Sequence, residues 1–244
     1  MAGSMGILAR GALAGLLSLG ALAGCDPVNS LLENDQPLSI AQTVTVTVED
    51  GHRLRVGISE VSWQDWKRCH DAGGCSFLPR PARRNDARSF PVVGVNRLDV
   101  DEFVAWANSR GDTEYRLPSA AEWSLFAAEL PKPEQKKLFD DPRLAWAADY
   151  AQAERVPARV EPSGSFGSLS NGIRDLGGNV WEWTASCAAG DDDDERCPAY
   201  FAMGLHQATI SLFIRDPATG GCAAGIPPAN VGFRLVSDIE DLES

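Results

Sequence analysis

From Thr43 to Val48 the chain alternates threonine and valine over six positions, a period of two that gives an extended strand one dry face and one wet face. A helix would scatter the same valines around its circumference. The stretch therefore predicts a half-buried β-strand, closed by the turn Asp50-Gly51 and continued by a partner from Leu54 to Ile58. Helical signals follow. Ser62 precedes Trp63, Asp65 and Trp66 as an N-cap, in a short helix that stops at Ala72-Gly73-Gly74. Residues 76–90 hold Pro79, Pro81 and arginines at 80, 83, 84 and 88, a loop composition. Asp99 with Glu102 has the form of a helix start, and Val100, Phe103, Val104 and Trp106 supply an apolar face for a helix over 100–109. Ser119-Ala120-Ala121-Glu122 is a capping box that opens another helix. Beyond Pro131 the helical signal fades, and from about residue 140 short strands alternate with Gly, Asp, Ser and Pro loops. Helices in the first half and strands with long loops in the second make an α+β pattern without internal repeats.

The composition is that of a globular domain, 44% hydrophobic and 23% charged over 244 residues. The formal net charge of −12 repels polyanions, which argues against a nucleic-acid partner.

Residues 1–24 carry one charge, Arg10, ahead of an apolar small-residue run from Gly11 to Leu22, the build of a secretory signal peptide and too short for a stable membrane span. The following Leu22-Ala23-Gly24-Cys25 resembles the lipobox of bacterial lipoproteins. That resemblance implies cleavage before Cys25, acylation of its thiol, and a membrane attachment made through the lipid. Without Arg10 the processed chain has 21 basic and 34 acidic side chains, so its surface would not adhere to anionic lipid and the acyl chains must hold it. Asp26 resembles the residue that keeps many enteric lipoproteins in the inner membrane, with the domain facing the periplasm. Residues 25–42, with Pro27, Asn29, Asn34 and Pro37, are expected to form a lipidated tether, residues 43–237 the folded domain and 238–244 an acidic tail.

Five segments in order resemble the formylglycine-generating enzyme, or sulfatase-modifying factor, superfamily, whose fold elaborates the C-type lectin-like domain. They are Ile58-Ser59-Glu60-Val61-Ser62, Phe90-Pro91-Val92-Val93, Tyr115-Arg116-Leu117-Pro118 running on to Trp123, Asp175-Leu176-Gly177-Gly178-Asn179-Val180-Trp181-Glu182-Trp183-Thr184, and Asn230-Val231-Gly232-Phe233-Arg234. Several blocks in register are far more specific than one. On their own chemistry, Arg116 and Glu122 flank a capped turn, where an ion pair would pin loop to helix. Trp181 and Trp183 alternate around Glu182, so a strand there points both indoles one way and the carboxylate the other, a core strand with one outward acid. The resemblance implies a calcium ion held by Asp175, Gly177, Val180 and Glu182, two carboxylates around a carbonyl-rich turn, which suits a hard cation. A plain Asx turn at Asp175 accounts for the same residues.

Enzymes of the superfamily use two closely spaced cysteines, shortly before the Gly-Phe-Arg block, to bind copper(I) through soft thiolates. The corresponding stretch, about residues 204–216, reads Gly-Leu-His-Gln-Ala-Thr-Ile-Ser-Leu-Phe-Ile-Arg-Asp and contains no cysteine. Copper is therefore not expected. Cys69 with Cys75, and Cys187 with Cys197, are close pairs that an exported chain would oxidise to disulfides, leaving Cys222 over; a rival pattern joins Cys222 to Cys187 or Cys197. His206 lies where the cysteines are missing and, with Cys222 and Arg234, marks a candidate pocket, although a lone histidine is ordinarily structural. Trp146, Tyr150, Phe166, Tyr200 and Phe201 are candidate anchors for a ligand. The leading expectation is a lipid-anchored, non-catalytic domain that binds a protein, peptide or glycan. A cysteine-oxidising enzyme with a rewired site, and a structural subunit or assembly factor of an envelope complex, remain the alternatives.

Overall fold

A computed structural model describes residues 37–48, 51–82, 89–131, 159–188, 197–218 and 227–239. Cys25, Asp26, Cys222, Trp146, Tyr150, the acidic run over 191–195 and the arginines at 83, 84 and 88 lie outside them.

The Thr/Val alternation forms β1 (Thr43–Thr47), which pairs antiparallel with β2 (Arg53–Gly57), Thr45 opposite Arg55. Leu54 and Val56 of β2 are fully buried while Arg53 and Arg55 face solvent, as the period of two requires. Ser62 caps α1 (Trp63–Asp71) by accepting from the Asp65 N–H at 3.1 Å. The second helix, α2 (Arg97–Asn108), starts earlier than Asp99 suggests. Asn96 is its N-cap, and Asp99 closes a capping box by accepting from the Asn96 N–H at 2.9 Å, so Asp99 is the third helical residue rather than the cap. Asn caps as well as Ser does, and the Asn96-x-x-Asp99 spacing was the signal. Ser119 and Glu122 form the expected box at the head of α3 (Ala120–Phe126).

Among the described residues the remaining strands are β3 (Trp181–Cys187), β4 (Ala199–Met203), β5 (Ala208–Ser211), β6 (Val231–Gly232) and β7 (Val236–Asp238). They complete two sheets. The first has the order β1-β2-β7 and is antiparallel; the second has the order β5-β4-β3-β6, with β3 and β6 parallel. The architecture is α+β.

Among the described residues two large apolar cores follow from this layout, and a smaller cluster gathers Phe90, Val160 and Val180. One packs α1 and α2 on the second sheet, where Trp66 stacks on Phe103 at 5.6 Å and both meet the edge of Phe233. The other lies under the first sheet, where Leu54, Val56 and Val236 meet Trp123, Phe126 and Ile173. Aromatic burial on this scale dominates the stability of such a domain. Disulfides join Cys69 to Cys75 and Cys187 to Cys197, the local pattern rather than the one using Cys222. Among the described residues no helix is long and apolar enough to cross a membrane.

Candidate functional site

The segment before β3 is a tight loop with left-handed backbone at both ends, Asp175 at φ 64° and Asn179 at φ 66°. Asp and Asn tolerate that region because their short polar side chains bond locally. Asp175 accepts from the backbone N–H groups of Gly164 and, at 2.8 Å, Phe166. Asn179 accepts from the Glu161 N–H at 3.0 Å and donates to the Glu161 carbonyl at 3.2 Å. The loop is thus stitched to residues 161–166, and Phe166 lies against Gly178 where a larger residue would collide with its ring. Leu130 covers Gly177 in the same way.

Glu182 is not an outward acid. It is 1% exposed and points into the interior, because β3 is covered on both faces. Its partner is Arg234, fully buried just beyond β6. Arg234 Nη2 donates to Glu182 Oε1 at 2.7 Å, and Nε lies 3.1 and 3.0 Å from the two carboxylate oxygens. Its remaining N–H groups donate to the carbonyls of Gly57, Ile58 and Arg174 at 2.8–3.0 Å. Trp123 Nε1 completes the shell of Glu182 at 2.8 Å. Arg234 consequently lines no open pocket beside His206. Its guanidinium ties β2, the 174–182 segment and the last strands together, a role that planar fork geometry suits.

These residues do not fit the expected calcium site. Both oxygens of Glu182 are turned to a guanidinium and an indole, so a divalent cation there would sit against a buried positive charge. Asp175 and Glu182 are each committed to protein donors, and Arg234 already supplies the positive charge that Glu182 requires.

A further carboxyl belongs to this cluster. Glu60 is 2% exposed; its Oε1 accepts from Asn179 Nδ2 at 3.3 Å, and its Oε2 has no hydrogen-bond partner. Burial pushes its pKa up to about 8, Arg234 opposes the rise, and the negative charges of Glu182 and Asp175 add to it. Glu60 is thus held as a neutral acid at neutral pH. Glu60 and Trp123 both lie within blocks quoted for the family resemblance, yet nothing local in the sequence assigns them to this cluster, since their partners are 119 and 59 residues away.

The stretch without cysteines supplies the turn that follows β4, strand β5 and the segment after it. Trp181 Nε1 donates to the His206 carbonyl at 2.9 Å, and the two rings meet edge to face at 5.1 Å. Gly204 beneath them has no room for a side chain, since a Cβ would come within 2.8 Å of the Trp181 ring. Leu205 at the tip is exposed. After β5, Arg215 forms a two-pronged pair with buried Asp99, both bonds 2.7 Å, and its guanidinium lies 3.9 Å from the Phe77 ring centroid. Phe213 beside it is the most exposed of the large apolar side chains in the described residues. Of the proposed anchors, Phe166 is exposed, Phe201 is half-buried, and Tyr200 is half-buried beneath the Arg97 guanidinium.

At the head of α3 the expected pin is present and larger than a pair. Arg116 donates to both oxygens of Glu122, at 2.9 and 2.8 Å, and to both oxygens of Asp238 at 2.9 Å. His52 reaches the same Asp238 at 2.7 Å.

The fold is an α+β domain with the Asp175–Thr184 loop and strand locked to a terminal Gly-Phe-Arg block, and the sequence profile of the sulfatase-modifying factor enzyme 1-like domain matches residues 34–239. The chain therefore belongs to the formylglycine-generating enzyme/sulfatase-modifying factor family. It is 31% identical over 115 residues to the inactive C-alpha-formylglycine-generating enzyme 2 of Bos taurus, covering 44% of this chain and 36% of that protein. It is also 31% identical over 144 residues to the formylglycine-generating enzyme of Mycobacterium tuberculosis, covering 52% and 44% respectively. Each match spans less than half of the relative. Among solved structures, PvdO from Pseudomonas aeruginosa superposes with a TM-score of 0.50 at 18% identity, covering 81% of this chain and 90% of that one, a likeness of fold.

Proposed function

We propose that this protein is a non-catalytic member of the family, anchored by lipid at Cys25 to the periplasmic side of the inner membrane, and that it binds a protein, peptide or glycan of the cell envelope. The observation that carries the reading is the use of the cysteines. Four of the six are joined in two disulfides, and the hairpin stretch where family enzymes keep their thiolate pair contains none. Copper(I) needs soft thiolates in convergent geometry, and one leftover Cys222 cannot supply two. With no oxidising centre required, what remains useful is the loop-rich surface carrying Leu205, Phe213 and Phe166.

Two measurements test it. The purified chain, offered copper(I) against a competing chelator and then a cysteine-containing peptide with oxygen, should neither retain the metal tightly nor consume oxygen; tight copper binding through Cys222 or oxygen uptake would sink the non-catalytic reading. Acylation should be visible as incorporation of a labelled fatty acid that Cys25→Ala abolishes, and unchanged labelling of that variant would remove the anchor.

A further inference from the structure

The first sheet has two edges, and the fold treats them differently. Beyond β7 the Arg116 segment closes the edge, its N–H and carbonyl both bonded to Val236 at 2.9 Å. Among the described residues β1 has no such cover. The register fixes which of its backbone groups are used: Val48 N–H donates to His52 at one end and Gln42 accepts from Ile58 at the other, so even-numbered residues bond to β2. In an antiparallel pair, bonding alternates residue by residue. The N–H and C=O groups of Thr43, Thr45 and Thr47 therefore point away from the sheet, and none has a backbone partner among the described residues. Thr45 and Thr47 are exposed, and Val44 and Val46 are only half-buried. Natural edge strands are usually blunted by Lys, Pro or a bulge, and β1 carries none of these.

The sequence of this edge matches one occupant. Thr43-Val44-Thr45-Val46-Thr47 is a palindrome, so a two-fold axis through Thr45 brings it against itself with no mismatch. Thr45 then faces its own counterpart, Thr43 faces Thr47, and Val44 faces Val46. The outward groups of the three threonines fall in the hydrogen-bonded register, and the half-buried valines meet in the closer, non-bonded register. No charged residue lies on the strand, although the whole chain is strongly acidic. Arg53 and Arg55 sit one strand further in; across the join the two β2 strands would be separated by about 14 Å, beyond the screening length at physiological salt.

We infer that β1 is a self-association edge, through which two copies of this chain pair antiparallel about Thr45 to form one continuous six-stranded sheet. An edge of this length buries little area, so the dimer is weak and reversible. It does not depend on the function proposed above.

Register-specific cross-linking tests it, using the full-length chain in mild detergent. Two Thr45→Cys copies place their Cα atoms about 5.5 Å apart, within disulfide range. Thr45→Cys should therefore form a disulfide dimer under mild oxidation, above the background of the chain with no added cysteine. A mixture of Thr43→Cys and Thr47→Cys chains should cross-link as well, whereas Thr47→Cys alone should not. Thr45→Lys, which opposes two like charges at the axis, should weaken concentration-dependent association by about tenfold while leaving the melting temperature of the dilute protein unchanged. The proposal is overturned if Thr45→Cys does not exceed background, if Thr47→Cys alone cross-links equally well, or if the unmodified chain sediments as a monomer at all concentrations.

Discussion

Replacing Arg234 by methionine probes the centre of the fold. The side chain is fully buried, and its removal leaves the Glu182 carboxyl, 1% exposed, with only the Trp123 indole as a hydrogen-bond donor. Breaking a buried pair from one side costs about 3–5 kcal/mol, because the stranded charge has lost water and partner together. The carbonyls of Gly57, Ile58 and Arg174 lose donors as well, which adds to that figure. Against a total stability of about 5–15 kcal/mol, a loss of roughly 4 kcal/mol or more should lower the melting temperature by about 12 °C. Urea unfolding followed by tryptophan fluorescence with the disulfides intact would measure it. The double variant Arg234→Met/Glu182→Gln should recover about 1–3 kcal/mol relative to the sum of the single changes, since the two side chains are one unit. A single-variant cost below about 1 kcal/mol, or strict additivity in the double, would refute the reasoning.

Three other outcomes are expected. Glu60 has a folded pKa of about 8 against an ordinary value of 4.5, so the stability it contributes is complete below about 4.5 and lost as pH rises through about 8; Glu60→Gln should flatten the fall of melting temperature between pH 5 and 9, and parallel profiles would count against a buried neutral acid. Asp238 is held down to about 2 by hydrogen bonds from Arg116 and then His52, so its contribution is present above the ordinary aspartate range and lost as pH falls through about 2. Asp238→Asn should accordingly melt lower than the parent at pH 7, with the difference closing towards pH 2. Millimolar calcium, or its removal by a chelator, should leave the melting temperature unchanged, and a clear calcium-dependent rise would restore Glu182 as a ligand.

Much of the local structure was legible because the signals are local. The Thr/Val period gave β1, Ser62 and the Ser119–Glu122 box gave two helix starts, and close spacing gave both disulfides. The start of α2 was displaced because Asp99 is acidic and stands before an apolar face, which mimics a cap; Asn96, three residues earlier, holds that place. Glu182 departs from the outward position that alternation predicts for a different reason. Alternation says that a strand residue faces away from its neighbours, and it does not say that the other face is wet. Here that face meets Arg234 and Trp123, residues 52 and 59 positions distant, and no period in a single sequence encodes such a meeting. The orphaned oxygen of Glu60 was invisible for the same reason.

The order β1-β2-β7 also bears on how the chain reaches its folded state. Strand β2 lies near the start of the domain, yet its second neighbour is β7, and the buried guanidinium that bonds the carbonyls of Gly57 and Ile58 comes from residue 234. These contacts span almost the whole domain, so they form late and slowly. Until residues beyond about 230 have been synthesised, the first sheet lacks β7 and the core lacks the Arg234 guanidinium, so the native packing of β2 cannot be completed. Closure of the first sheet by β7 is therefore a late step of folding rather than an early one.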